Sequence, residues 1–118
     1  MSRKPAAIRD VNIKEGMPPV EEARLRLERE LNVARQEKVV ALRVIHGYGS
    51  SGVGGALRVA IQLRLQELRQ SGGIREVIYG EDWRVSDEAT WKWLGRYPEW
   101  KKDSDLGRGN KGISIVVL

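Results

Sequence analysis

At 118 residues the chain has room for one domain and little for a second. It has no cysteine, which excludes disulfides and thiolate metal sites, and no apolar run approaches membrane-spanning length. The net charge of +5 is uneven: residues 39–75 carry five arginines against Glu67 alone. Such an excess either favours a polyanionic partner through counterion release or forms an ordinary solvated basic face.

The first seven residues read as a loose tail with no apolar leader segment, consistent with a cytoplasmic protein. Residues 8–14 alternate, with Val11 and Ile13 on one face and Asp10, Asn12 and Lys14 on the other, which predicts a half-buried strand. Gly16, Pro18 and Pro19 end it and open a helix over 19–37. There Val20, Ala23, Leu27, Leu31 and Ala34 form one apolar stripe, and Glu21 and Glu22 suit the positive end of the helix dipole. Residues 39–45 are β-branched and almost uninterrupted, which predicts a buried strand.

A second helix is expected over about 56–70. Leu57, Ile61, Leu65 and Leu68 share its stripe, Arg58, Gln62 and Arg69 lie just beside it, and Val59 and Leu63 require cover from elsewhere. Ser71, Gly72 and Gly73 signal its end, and residues 74–80 read as a third strand. Ser86 is the expected N-cap of a short third helix reaching about Leu94. Residues 95–112 look loop-like, and 113–118 form a last strand buried on both faces. The predicted fold class is α/β: a two-layer sandwich of helices on a mixed four-stranded sheet, in the order β-α-β-α-β-(short α)-β. The domain spans 8–118, with an aromatic and basic insertion at about 81–106.

The segment from His46 to Arg58 joins a strand to a helix and contains five glycines. Glycines allow positive φ and close approach of the backbone. Successive N–H groups can then form a concave anion site at the positive end of the following helix. Arg58 adds a charged fork, and Ser50 and Ser51 add hydroxyls. No Gly-Lys-Ser/Thr closes the turn, so it is not a Walker A loop. Gly47, Gly49 and Gly52 spell a lone dinucleotide-type pattern without the acidic residue that a ribose contact needs. The alternative is a turn whose glycines serve chain reversal only.

These residues resemble a known family. His46, Gly47, Gly49, Gly55, Leu57 and Arg58 are similar to the H-G-x-G…G-x-L-R turn of Smr (small MutS-related) domains, with about Gly52 to Gly54 lengthening the loop. Val20-Glu21-Glu22-Ala23 resembles the start of that family's first helix, and residues 109–116 its glycine turn and closing strand. The likeness covers about 8–80 and 107–118, and is strongest to short, stand-alone bacterial Smr-like proteins. It implies binding of structured RNA or branched DNA, endonuclease activity in several members, and work at ribosomes in some. The family's first strand usually carries L-D-L-H-G. Here Asn12 and Lys14 stand for the aspartate and histidine, and Asn12 cannot act as a base.

Two candidate substitutes for catalysis are His46, the only histidine, and Asp10, expected on the same strand face as Asn12 and Lys14. His46 is equally a candidate for shaping the loop or donating to a phosphate. In the insertion, Trp91 and Leu94 are expected in the core, with the tryptophans covering Val59 and Leu63. Trp93 and Trp100 are expected exposed, where rings stack on unpaired bases. Asp103 and Asp105 read as solvated.

The expected nucleic-acid contacts are Lys14, His46, Gly47, Tyr48, Gly49, Ser50, Ser51, Gly55, Arg58, Gln62, Arg69, Trp93 and Trp100. No metal site or cofactor is indicated, and a divalent metal is neither called for nor excluded. Three functions remain: a phosphate-backbone-binding module, an endonuclease with an altered site, or a ribosome- or protein-interaction domain. No membrane partner is expected, and nothing in the sequence specifies an oligomeric state.

Overall fold

The computed structural model describes residues 6–49 and 52–118, and of 52–54 the backbone alone. The elements run β1 (Ile8–Asn12), α1 (Val20–Gln36), β2 (Ala41–Ile45), α2 (Gly52–Ser71), β3 (Glu76–Tyr79), α3 (Glu88–Arg96) and β4 (Ile113–Val117), with 3-10 turns at Gly80–Asp82 and Pro98–Lys102. The strands form one sheet in the order β1-β2-β4-β3. β1 pairs parallel to β2, as a strand-helix-strand connection through α1 requires, while β4 lies antiparallel to β2 and β3. This is the mixed four-stranded sheet that the element order predicts.

The apolar stripes decide which face each helix covers. Ala23, Leu27, Leu31 and Ala34 of α1, and Leu57, Ile61, Leu65 and Leu68 of α2, pack on Val11, Ile13, Leu42, Val44 and Val116. To that two-layer frame the insertion adds a partial cover on the opposite face. There Trp83, Trp93, Leu94 and Trp100 pack on Ala41, Ile78, Ile113, Ile115 and Val117. Val59 and Leu63 receive no cover and stay exposed, because the tryptophans lie across the sheet from α2.

Several expected boundaries move. Gly52–Gly54 are not extra loop but the start of α2. Asp87, not Ser86, caps α3 by accepting from the Thr90 N–H, and α3 continues through Gly95 to Arg96. Of the expected tail, residues 1–5 lie outside the described residues. Ala6 is held at both ends of its peptide unit, its N–H donating to Glu99 Oε2 at 2.7 Å and its carbonyl accepting from Trp100 Nε1 at 2.8 Å.

Arg43 ties the insertion to the sheet. Its guanidinium donates to Asp10 Oδ1 at 2.6 Å and to Asp103 Oδ1, and its Nε faces Asp105 Oδ2 at 3.0 Å as an ion pair without hydrogen-bond geometry. Burial opposes this charge, but the hydrogen bonds and charges of Asp103 and Asp10 outweigh it, so the pKa of Arg43 is raised. Asp103 also accepts from Trp83 Nε1 at 2.9 Å. The two aspartates expected to be solvated are therefore largely buried partners of one arginine. Where the insertion starts, the backbone passes so close to the turn before β4 that a Cβ on Gly80 would lie 1.7 Å from the Asn110 carbonyl oxygen. Among the described residues, no helix is long and apolar enough to cross a membrane.

Candidate functional site

Because β2 and β4 are antiparallel neighbours, the turn that leaves β2 and the turn that enters β4 meet at one end of the sheet. The N–H groups of His46 and Gly47 both donate to the Gly112 carbonyl, at 3.1 and 3.0 Å. Gly47 and Gly49 take φ of +79° and +84°, the left-handed conformation that glycine allows. Gly55, in the first turns of α2, faces the Gly49 carbonyl. Ser50 and Ser51 lie outside the described residues.

Beneath the turn runs a buried polar chain. His46 is 1% exposed. Its Nδ1 lies 2.8 Å from the Gly47 carbonyl and its Nε2 2.9 Å from Ser114 Oγ. A carbonyl can only accept, so Nδ1 carries the proton. In the neutral ring Nε2 is then an acceptor, and the Ser114 hydroxyl donates to it. Ser114 Oγ accepts in turn from Gln62 Nε2, a long contact at 3.5 Å, and Gln62 Oε1 accepts from Arg58 Nη1 at 3.3 Å. Burial, and to a lesser degree the Arg58 charge, lowers the His46 pKa from 6.5, against the opposing pull of the Gly47 carbonyl. His46 is therefore a neutral, sealed imidazole in a satisfied network.

Above the turn is a cationic surface around one ring. Tyr48 is half exposed. The Arg58 guanidinium carbon and the Lys111 Nζ each lie 5.3 Å from its ring centroid, and Arg58 Nε also donates to the Tyr48 carbonyl at 3.2 Å. The Lys14 side chain crosses Gly47, its Cδ 3.3 Å from where a Cβ would sit. Asn12 bends the backbone there, accepting from the Lys14 N–H at 3.1 Å.

The fold thus brings together Lys14, His46, Gly47, Tyr48, Gly49, Gly55, Arg58 and Gln62, and adds Lys111 and Ser114. Ser114 had a readable signal: a lone hydroxyl in an otherwise apolar buried strand needs a buried partner.

Other expected site residues lie elsewhere. Asp10 is bound to Arg43, whose neighbours Leu42 and Val44 face the α1–α2 layer. Strand alternation therefore puts Asp10 and Arg43 on the opposite face from Ser114 and His46. Arg69 is three turns along α2 from Arg58, about 16 Å at helical rise, and donates to Glu76 at 2.8 Å. Trp93 and Trp100 are buried, at 4% and 2% exposure, and Trp93 Nε1 donates to Glu76 Oε1. The exposed tryptophan is Trp91, at 61%. The cause is helical register: Thr90, Trp93, Leu94 and Tyr97 form the i, i+3, i+4, i+7 face that packs inward.

Nor does the central arginine excess form one patch. Arg43, Arg64 and Arg69 are each paired with carboxylates, while Lys14 and Lys111 reach the turn from distant sequence. Among the described residues, no group of three or more histidine, aspartate or glutamate side chains is placed to hold a metal ion.

Comparison with known proteins agrees with this architecture. A search of curated proteins finds no match. Among solved structures the fold is similar to the Smr domain of Thermus thermophilus MutS2, with a TM-score of 0.58 and 22% identity over 94% of this chain and 98% of that one. The profile of the Smr domain matches residues 15–82, which include β1's exit, both long helices, β2, β3 and the glycine-rich turn. The chain belongs to the Smr domain family.

Proposed function

We propose that this domain binds the phosphate backbone of structured RNA or branched DNA at the surface formed by the turns at 46–49 and 109–112. The observation that carries the reading is the convergence of Lys14, Arg58 and Lys111 on one short turn. None of these three pairs with a carboxylate among the ion pairs of the described residues, whereas Arg43, Arg64 and Arg69 do. Unneutralised cations over an exposed backbone turn suit a polyanion and give affinity with little sequence preference. Binding is better supported than cleavage by the two candidate catalytic residues. His46 has both ring nitrogens committed to protein partners, and Asp10 is bound to Arg43 on the far face of the sheet.

The test is titration of labelled stem-loop RNA and branched DNA at two salt concentrations, followed by anisotropy. Affinity should fall steeply as salt rises, and Arg58→Ala should weaken binding and reduce the logarithmic salt slope by about 1. Absence of binding at low salt would overturn the reading and favour a protein partner.

A further inference from the structure

We propose that Tyr48, flanked by Arg58 and Lys111, is a stacking platform for one unpaired nucleobase. The domain would thereby select nucleic acid that carries single-stranded nucleotides beside a duplex over continuous duplex. The inference rests on the phosphate-binding reading above and adds what that surface discriminates.

Three observations support it. First, the backbone that carries the ring is held in place. The Tyr48 carbonyl is held by Arg58 Nε at 3.2 Å, and the turn that carries it is pinned by two bonds to the Gly112 carbonyl. A backbone already held in place has less to order on binding. Second, Tyr48 is half exposed. Third, it has a cation 5.3 Å from its centroid from each of two independent elements, the start of α2 and the turn before β4.

These cations hold the ring in the absence of a ligand. They also put positive charge within reach of the phosphates that flank a stacked base. Arg58 is fixed by its bonds to Tyr48 and Gln62. Lys111, a point charge on a flexible stem, can leave the ring for a phosphate when a base takes its place. A base inside a duplex has both faces covered by its neighbours. Only an unpaired base can offer a face to the tyrosine. Phosphate contacts alone would not distinguish the two kinds of nucleic acid, so the discrimination resides in position 48.

The experiment compares binding of the full chain to a blunt duplex and to the same duplex with a single-stranded overhang, in RNA and in DNA, at low salt. A fluorescent purine analogue in the overhang reports stacking. The wild-type protein should prefer the overhang about tenfold in at least one of the two nucleic acids and should quench the analogue. Tyr48→Leu should bring the preference ratio to about one and abolish quenching, whereas Tyr48→Phe should keep both. Circular dichroism verifies that each variant is folded. Equal wild-type affinity for blunt and overhang substrates, or a preference that survives in Tyr48→Leu, overturns the stacking role while leaving phosphate binding intact. If the wild type binds neither substrate, the phosphate reading and this inference fail together.

Discussion

Replacing Ser114 with alanine removes a single oxygen atom and takes the hydrogen-bond partner from His46 Nε2 and Gln62 Nε2. The His46 Nε2 bond, at 2.9 Å, is well formed, while the Gln62 contact at 3.5 Å is at the limit of a hydrogen bond. The first therefore dominates the cost. A buried acceptor left unsatisfied costs about 1–3 kcal/mol, so Ser114→Ala should destabilise the fold by about 2 kcal/mol. For a domain of this size that corresponds to a fall in melting temperature of about 8 °C. Urea unfolding followed by tryptophan fluorescence measures it, since Trp83, Trp93 and Trp100 are buried reporters. Adding His46→Phe to Ser114→Ala removes the stranded acceptor as well, so the double variant should lose less than the two single variants summed. A cost below about 0.5 kcal/mol, or strict additivity, would refute the hydrogen-bonded network and the tautomer assigned from it.

The same histidine makes stability pH-dependent. Its folded-state pKa lies below 6.5, so the unfolded chain binds the proton more readily. Stability due to neutral His46 is present above about 6.5 and is lost as pH falls toward the depressed folded value. Urea midpoints across that range should fall more for the wild type than for His46→Asn, and parallel curves would contradict it. Arg43→Leu strands the largely buried carboxylate of Asp103 and should cost about 3 kcal/mol in urea unfolding; a neutral outcome would mean that the tether is dispensable. Trp100→Ala should cost about 3 kcal/mol, because its ring is buried against Tyr97 and its N–H holds Ala6. Trp91→Ala should stay within about 0.5 kcal/mol; the reverse order, again by urea unfolding, would contradict the burial of Trp100 and the exposure of Trp91.

Most of the frame was legible because it depends on local periodicity. The stripes of α1 and α2 and the continuous apolar runs of β2 and β4 require no knowledge of the rest of the chain. The turn was legible because Gly47 and Gly49 occupy positions where positive φ is needed. What failed were features set by non-local partners. Trp91 and Trp93 lie about 200° apart on α3, so only one of them can face the core beside Leu94, and the sheet face that α3 meets decides which. Asp103 and Asp105 look solvated until strand β2 supplies Arg43. The arginine-rich middle looks like a patch until Glu28 and Glu76 reach it. Lys111 and Ser114 entered the site only through the pairing of β4 with β2.

The contact between Gly80 and the Asn110 carbonyl makes the segment between them an appendage with a closed base. The chain leaves and returns at the same point, immediately beside the turn whose Gly112 carbonyl anchors His46 and Gly47. Doubling the length of such an excursion costs only about 0.6 kcal/mol in closure entropy. Its length is therefore free to vary, as long as the side chains that cover the far face of the sheet are kept. The clasp has no such freedom. Any side chain at position 80 forces one of the two backbones to shift, and a shift at Asn110 would reach the binding surface without altering a residue in it.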